Sequence, residues 1–161
     1  MPLGGAEYSI FNLISSSPPE RGLLNKFEME TKLSVLFAIH PKTPNHIVEK
    51  FPNLLQGIKY QIGNTAELVR DSNVVLLHQS TSFSFAVLFN KPAIFLTSNK
   101  LRNSWIGPRI DNLAKILNGK VINMNNDLNK PFSYIIIVIA VPTSRIASTH
   151  STTILIFLFF K

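Results

Sequence analysis

Short apolar runs alternate with more polar, amphipathic stretches through the middle of this chain. Runs of this length, rich in branched and aromatic side chains, are typical of strands. The run over residues 32–40 has the nearly continuous hydrophobicity that is typical of a strand buried on both faces of a sheet. Five strands are predicted, over residues 32–40, 58–62, 73–78, 93–97 and 120–124.

Helix and turn signals fill the spaces between these strands. Residues 63–65 turn the chain into a helix over residues 66–71, with Thr65 as the predicted N-cap. Residues 109–118 place apolar side chains at helical spacing, and Gly119 stands where a C′ glycine belongs. A short helix is predicted over residues 47–55, and Ser80, Thr81 and Ser82 are predicted to cap an apolar segment that runs to residue 89.

The alternation of strands and helices determines the predicted fold class. Such a pattern indicates βαβ units and a parallel sheet with right-handed crossovers. We therefore predict an α/β fold, a Rossmann-like parallel sheet with helices on both faces. Residues 24–132 are predicted to form one domain, whereas residues 1–23 are predicted to be irregular.

Residues 133–161 differ from the rest and are predicted to form an apolar tail. From residue 128 onward the chain has three basic residues and no acidic one, and it contains apolar runs at residues 134–141 and 154–160. Neither run approaches the ~20 residues needed to span a bilayer. Two interpretations stay open: a segment translated out of an ancestral frame or joined by gene rearrangement, and a peripheral membrane anchor.

Composition narrows the class of partner. Hydrophobic residues make up 45% and charged residues 16%, which excludes a disordered protein. The net charge of +7 favours an anionic ligand or a membrane surface. The basic residues are too dispersed to predict a nucleic-acid interface. The absence of cysteine excludes disulfides, thiolate zinc sites and cysteine nucleophiles.

Three loops are the candidate places for a ligand. No GxGxxG, GxxxxGK[ST], GxSxG or HExxH motif occurs, so standard dinucleotide, P-loop, serine-hydrolase and zinc sites are not predicted, and no metal is expected. In parallel sheets, ligands bind where a strand ends and the next helix begins. That rule selects residues 40–43, 63–67 and 78–82.

The loop after the third strand offers hydroxyl groups. Ser80, Thr81 and Ser82 follow His78 at a predicted strand-to-helix junction. Side-chain oxygens, backbone N–H groups and the helix dipole favour a phosphate there. The alternative is plain helix capping without a ligand.

The loop after the first strand adds cationic groups at the same predicted edge. His40, Pro41 and Lys42 place an imidazole and an ammonium where they can neutralise a pyrophosphate or protonate a leaving phosphate oxygen. The alternative is a structural histidine bonded to a backbone carbonyl, with a solvated lysine.

The loop after the second strand offers an amide and a carboxylate. Asn64, Thr65 and Glu67 can receive a ribose or a base, and an ordinary capping turn is the alternative. A later polar loop offers a further set, which either contacts an anionic or sugar ligand or covers the edge of the sheet: Arg102, Trp105 and Arg109.

Two stretches carry a family resemblance. Residues 32–43 (KLSVLFAIHPKT) and residues 63–101, which include STSFSFAVLFNKPAIFLTSN, are similar to the carboxy-terminal half of bacterial GT-B glycosyltransferases of surface-polysaccharide synthesis. The similarity is greatest to the sialyltransferase and polysialyltransferase type of capsule and lipopolysaccharide enzymes. It covers roughly residues 24–132.

This resemblance implies roles for two motifs. His40-Pro41 matches a His-Pro motif of the family, and Ser80-Thr81 matches its Ser-Ser or Ser-Thr motif. In the family both contact the phosphates of a CMP-activated sugar. His40 is then the catalytic residue that stabilises the leaving phosphate, and a nucleotide-sugar donor is the one small molecule required. The family's acidic motif, which supplies the catalytic base from an amino-terminal domain, is absent.

Three functions follow as alternatives. The first is the donor-binding domain of a glycosyltransferase-like protein, incomplete and inactive without an amino-terminal half. The second is a non-catalytic partner subunit that completes a separately encoded half, and the third is a small peripheral membrane protein. The first residues lack the features of a secretory signal, so we expect a cytoplasmic location, with the inner face of the bacterial inner membrane as the alternative.

Overall fold

The computed structural model describes residues 18–39, 59–77, 82–127, 130 and 153–158. Within these residues the chain forms the helices α1 (Pro18–Thr31), α2 (Thr65–Asp71), α3 (Phe83–Leu88), α4 (Asn99–Arg102) and α5 (Gly107–Ile116). The strands are β1 (Ser34–Ile39), β2 (Tyr60–Ile62), β3 (Val74–Leu77), β4 (Ala93–Thr97), β5 (Lys120–Asn123) and β6 (Thr153–Leu158).

These strands form one parallel sheet. Their order is β2-β1-β6-β3-β4-β5, and every neighbouring pair is parallel. Parallel neighbours need crossover connections, and α2, α3 and α5 lie between successive strands in the chain. The predicted α/β, Rossmann-like fold is thus confirmed. The five predicted strands are all present, each within its predicted limits.

Buried side chains on the central strands form the core. Every residue of β3 and β4 is buried. Because successive strand residues point to opposite faces, both faces of the sheet are covered there. The aromatic rings of Phe27, Phe37 and Phe95 are also buried in this core. Burial of each such side chain contributes about 2–3 kcal/mol, so the core is a main source of stability.

Strand β6 differs from the expected organisation. The predicted domain ends at residue 132, whereas β6 lies beyond that limit and is placed between β1 and β3. Its apolar run is like those of the buried strands, but the lack of acidic residues from residue 128 onward predicts a tail over the whole segment. The other apolar run, residues 134–141, and the short helix predicted over residues 47–55 lie outside the described residues.

Helix α1 begins earlier than predicted. Residues 1–23 are predicted to be irregular, but the helix starts at Pro18. Proline suits the first turn of a helix because its φ is already helical and its missing N–H would have no partner there. The Glu28 carboxylate accepts a hydrogen bond from the Val35 N–H (2.8 Å), which joins α1 to β1. None of the described helices is long and apolar enough to cross a bilayer.

Asparagine rather than glycine ends two helices. Asn90 after α3 and Asn118 after α5 have positive φ values of 50° and 48°. After α5, the Gly119 N–H bonds back to the Ala114 carbonyl oxygen (2.8 Å), as in a Schellman motif. The prediction of Gly119 as the C′ residue is therefore wrong. Asn118 takes that position because its short polar side chain tolerates a left-handed φ.

Candidate functional site

The carboxyl ends of the parallel strands meet at one edge of the sheet, where the sequence predicts a ligand. Ile39, the last residue of β1, is level with Ile62 at the end of β2 and with Leu158 at the end of β6. On β3, Leu76 is level with Ile156, so β3 ends close to the same height. The chain therefore leaves β1, β2 and β3 at the same edge.

The strand order changes direction between β1 and β3. Strand β2 lies on one side of β1, whereas β4 and β5 follow on the far side of β3. Such a reversal is the topological switch point of an open α/β sheet, where diverging loops leave a crevice for a ligand. Strand β6 lies between β1 and β3. Because neighbouring strands are about 4.8 Å apart, the ends of β1 and β3 lie about 10 Å apart.

The turn after β2 is fixed to the end of β1. The Gly63 N–H donates a hydrogen bond to the Ile39 carbonyl oxygen (3.2 Å). Gly63 and Asn64 both have positive φ, 78° and 51°. Asn64 is the N-cap, and α2 starts at Thr65. The prediction of Thr65 as the N-cap is wrong because a β-branched residue does not fit the left-handed conformation required there.

Polar side chains of this turn are open to solvent. Asn64 is exposed, and its side chain makes no capping hydrogen bond. Glu67, in the first turn of α2, is also exposed, whereas Thr65 is half-buried. The amide and the carboxylate can donate and accept hydrogen bonds to a polar ligand such as a ribose.

Of the three hydroxyl-bearing residues that follow β3, Ser82 is the one that the structure describes. It is 3% exposed and forms the N-cap of α3, but its side chain makes no capping hydrogen bond. Its carbonyl oxygen accepts a hydrogen bond from the Phe85 N–H (3.0 Å). A helix of six residues has a small macrodipole. The helix dipole, which the sequence predicts to favour a phosphate at this junction, is therefore weak.

The remaining residues of the predicted site lie outside the described residues. They are His40, Pro41, Lys42, His78, Ser80 and Thr81. The strands that lead to them are described, because His40 directly follows Ile39 and His78 directly follows Leu77. Their roles stay predictions, now attached to the two strands that flank the switch point.

A second polar group lies at the carboxyl ends of β4 and β5. The side-chain oxygen of Asn99 accepts hydrogen bonds from the side-chain nitrogens of Asn123 (2.8 Å) and Asn126 (3.3 Å). The Asn99 backbone N–H donates to the side-chain oxygen of Asn125 (2.8 Å). These four residues, here called the asparagine cluster, join the start of α4 to the turn after β5.

Asp127 closes the turn beside the asparagine cluster. Its carboxylate accepts a hydrogen bond from the Asn123 N–H (2.8 Å) and pairs with the Lys130 ammonium (2.6 Å). Partial burial by itself would raise the pKa of Asp127, but the interactions with Lys130 and Asn123 outweigh it and lower the pKa. The carboxylate is therefore charged at neutral pH and holds the turn.

The asparagine cluster is not among the predicted sites, although the sequence carries a signal for it. Strand β4 is followed by Ser98-Asn99, and β5 runs into the polar stretch NMNND. The rule about strand ends applies equally to these two loops. In the structure the amides bond to one another and to backbone N–H groups. The cluster therefore holds the loops after β4 and β5 together.

Trp105 lies on the turn between α4 and α5. It is 67% exposed, and the Arg109 guanidinium lies 5.4 Å from the centroid of its ring. Arg102 forms two hydrogen bonds to the Asp111 carboxylate, 3.2 and 3.1 Å long. Arg102 thus joins α4 to α5, and the surface keeps an aromatic ring beside a cation.

No family model, no curated protein and no solved structure matches this chain. Within the described ranges, no group of three or more His, Cys, Asp or Glu side chains is placed to hold a metal ion. A functional assignment therefore depends on the edge of the sheet and on the residues that follow β1, β2 and β3.

Proposed function

We propose that this chain is the donor-binding domain of a glycosyltransferase-like protein of bacterial surface-polysaccharide synthesis, and that it binds a nucleotide sugar at the switch point of its sheet. The observation that carries the proposal is the strand order. The loops predicted to hold the donor leave β1 and β3, the strands on either side of the reversal. The resemblance of residues 32–43 and 63–101 to GT-B enzymes supports the same assignment.

In the proposed complex, the donor phosphate lies between two loops. Ser80 and Thr81 donate hydroxyl hydrogen bonds to its oxygens from the β3 side. His40 stabilises the leaving phosphate from the β1 side, and Lys42 adds a neutralising charge. A separation of about 10 Å between the two strands leaves room for one phosphate and the side chains that bind it.

The nucleoside is assigned to the turn after β2. The hydrogen bond from Gly63 to Ile39 holds this turn against the end of β1, the strand that leads to His40. Asn64 and Glu67 are exposed there and offer hydrogen-bonding groups for ribose hydroxyls. The nucleoside groups are thus assigned to the strand next to β1, whereas β3, whose loop carries Ser80 and Thr81, lies two strands beyond β1 on the other side.

Sugar transfer requires a further group. We assign two roles to this chain, which are binding of the donor and stabilisation of the leaving phosphate. The base that activates the acceptor hydroxyl is assigned to a separate amino-terminal half. Alone, the chain is expected to bind donor nucleotides and to transfer little or no sugar.

Isothermal titration calorimetry with CMP, CDP and UDP tests this proposal. We expect saturable binding of at least one nucleotide. The double variant Ser80→Ala/Thr81→Ala should weaken it by about tenfold or more, because two phosphate hydrogen bonds are lost. The matched control is Thr143→Ala/Ser144→Ala, a hydroxyl pair with no assigned role. No heat with any of the three nucleotides, from protein that unfolds cooperatively, would reject the proposal.

A further inference from the structure

Strand β6 is the last described strand along the chain, yet it lies in the middle of the sheet. It pairs with β1 at six positions, from Ser34–Thr153 to Ile39–Leu158, and with β3 at three. In the described sheet, β6 joins two groups of strands by pairing with both of them. One group is β2-β1 and the other is β3-β4-β5.

The position that β6 occupies, here called the β6 slot, is a gap between two largely buried strands. Ala38 and Ile39 of β1 are buried, as is every residue of β3. An open slot would leave backbone N–H and C=O groups unpaired along one side of each strand, and each unpaired group costs free energy. The slot therefore requires a parallel strand of apolar residues. Strand β6, with the sequence TILIFL, meets that requirement.

A long stretch of chain precedes β6. Twenty-two residues, 131–152, separate Lys130 from Thr153, and a chain of that length reaches at most about 75 Å. A flexible linker in general holds the element that it carries at an effective concentration of about 1 mM. The identical strand of a second copy competes for the slot once the protein concentration approaches that value. Exchange of identical elements needs no new contacts.

We infer that the β6 slot accepts β6 from a second copy of this chain, so that the protein forms strand-exchanged dimers. In such a dimer each candidate site includes a strand of the other copy. Leu158 of β6 is level with Ile39, and β6 separates the ends of β1 and β3. The inference rests on the strand order and is independent of the proposed nucleotide binding.

Disulfide cross-linking tests the exchange in the full chain, which has no cysteine of its own. Ser34 on β1 and Thr153 on β6 are register partners, and a disulfide spans the separation of neighbouring strands. Two single variants are refolded together and oxidised: Ser34→Cys with an affinity tag, and Thr153→Cys without one. A disulfide between residues 34 and 153 then forms where β6 of one copy lies beside β1 of the other.

The mixed disulfide is expected to depend on protein concentration. In an equal mixture it should hold about a quarter of the total protein after refolding at about 1 mM, because about half of the copies are exchanged and half of those dimers pair the two variants, and at least about tenfold less at about 10 µM. The double variant Ser34→Cys/Thr153→Cys should give a disulfide-linked monomer at the lower concentration. A mixture of Ser34→Cys with Ser84→Cys, on an exposed residue of α3, measures random collision.

Two results would overturn the inference. The first is a mixed disulfide no more abundant than in the Ser84→Cys mixture, while the double variant cross-links within one chain. The second is a double variant that does not cross-link at all, which would remove β6 from the slot. Sedimentation of the unsubstituted chain is an independent measurement. A dimer fraction that grows with concentration supports exchange, and a monomer up to about 1 mM contradicts it.

Discussion

At the residue scale, the carboxylate of Asp127 holds the turn that follows β5. Burial alone would raise the pKa of Asp127, but the ion pair with Lys130 and the hydrogen bond from Asn123 lower it overall. A carboxyl group with a lower pKa in the folded state stabilises the fold above its unfolded pKa, which is about 3.9 for aspartate. That contribution is lost as the pH falls through the folded pKa.

Asp127→Ala is therefore expected to lower the free energy of unfolding by about 1–2 kcal/mol at neutral pH. The difference from the unsubstituted protein should shrink as the pH falls below the unfolded pKa of about 3.9 and through the lower folded pKa. Urea unfolding at neutral and acidic pH measures both effects. Asp71→Ala is the control, because Asp71 pairs with Arg70 on the exposed surface, where such pairs contribute little. Equal losses in the two variants would contradict the role given to Asp127.

Gly119 shows a steric constraint at the same scale. A Cβ at this position would lie 2.8 Å from the Ala93 carbonyl oxygen and 2.9 Å from the Phe95 ring. The oxygen belongs to the backbone of β4, so Gly119→Ala is expected to destabilise the fold by about 1–3 kcal/mol. Asn118→Gly removes a side chain from a positive φ and should leave stability unchanged or slightly raised. A Gly119→Ala variant with the higher Tm of the two would refute the steric argument.

At the element scale, the sequence predicts strands more accurately than helix ends. Strands β3 (VVLL) and β4 (AIFLT) are continuous apolar runs, and that property belongs to the residues themselves. A helix end depends on φ at one residue. Asn64 and Asn118 occupy the positions predicted for Thr65 and Gly119. Several residue types can satisfy a capping pattern, and the path of the chain between packed elements selects among them.

A local sequence pattern does not predict the order of the strands either. The apolar run that contains β6 can be read from the sequence, but its place between β1 and β3 depends on partners far apart in the chain, such as Ser34 and Thr153. For the candidate site, the rule about strand ends predicts the loops after β1, β2 and β3. The bonds of Asn99 to Asn123 and Asn126 emerge once the ends of β4 and β5 are side by side.

At the scale of the whole molecule, the sheet depends more on its centre than on its edges. Strand β6 pairs on both sides, whereas β2 is a three-residue strand at one end of the order. Loss of pairing at the centre separates β2-β1 from β3-β4-β5. Loss of pairing at the edge removes one outer strand and leaves the rest of the sheet joined. Proline distinguishes the two positions because it removes a backbone N–H and is tolerated at edges but not in central strands.

Leu155→Pro and Gln61→Pro apply this change to β6 and β2. Leu155 is level with Leu36 on β1 and with Val75 on β3. We expect Leu155→Pro to abolish cooperative unfolding and Gln61→Pro to cost about 1–3 kcal/mol, both measured by circular dichroism during a urea titration. If Leu155→Pro instead unfolds cooperatively, with a higher urea midpoint than Gln61→Pro, then β6 does not join β2-β1 to β3-β4-β5. Direct pairing of β1 with β3 would then place the two loops of the candidate site about 5 Å apart, half the separation argued above.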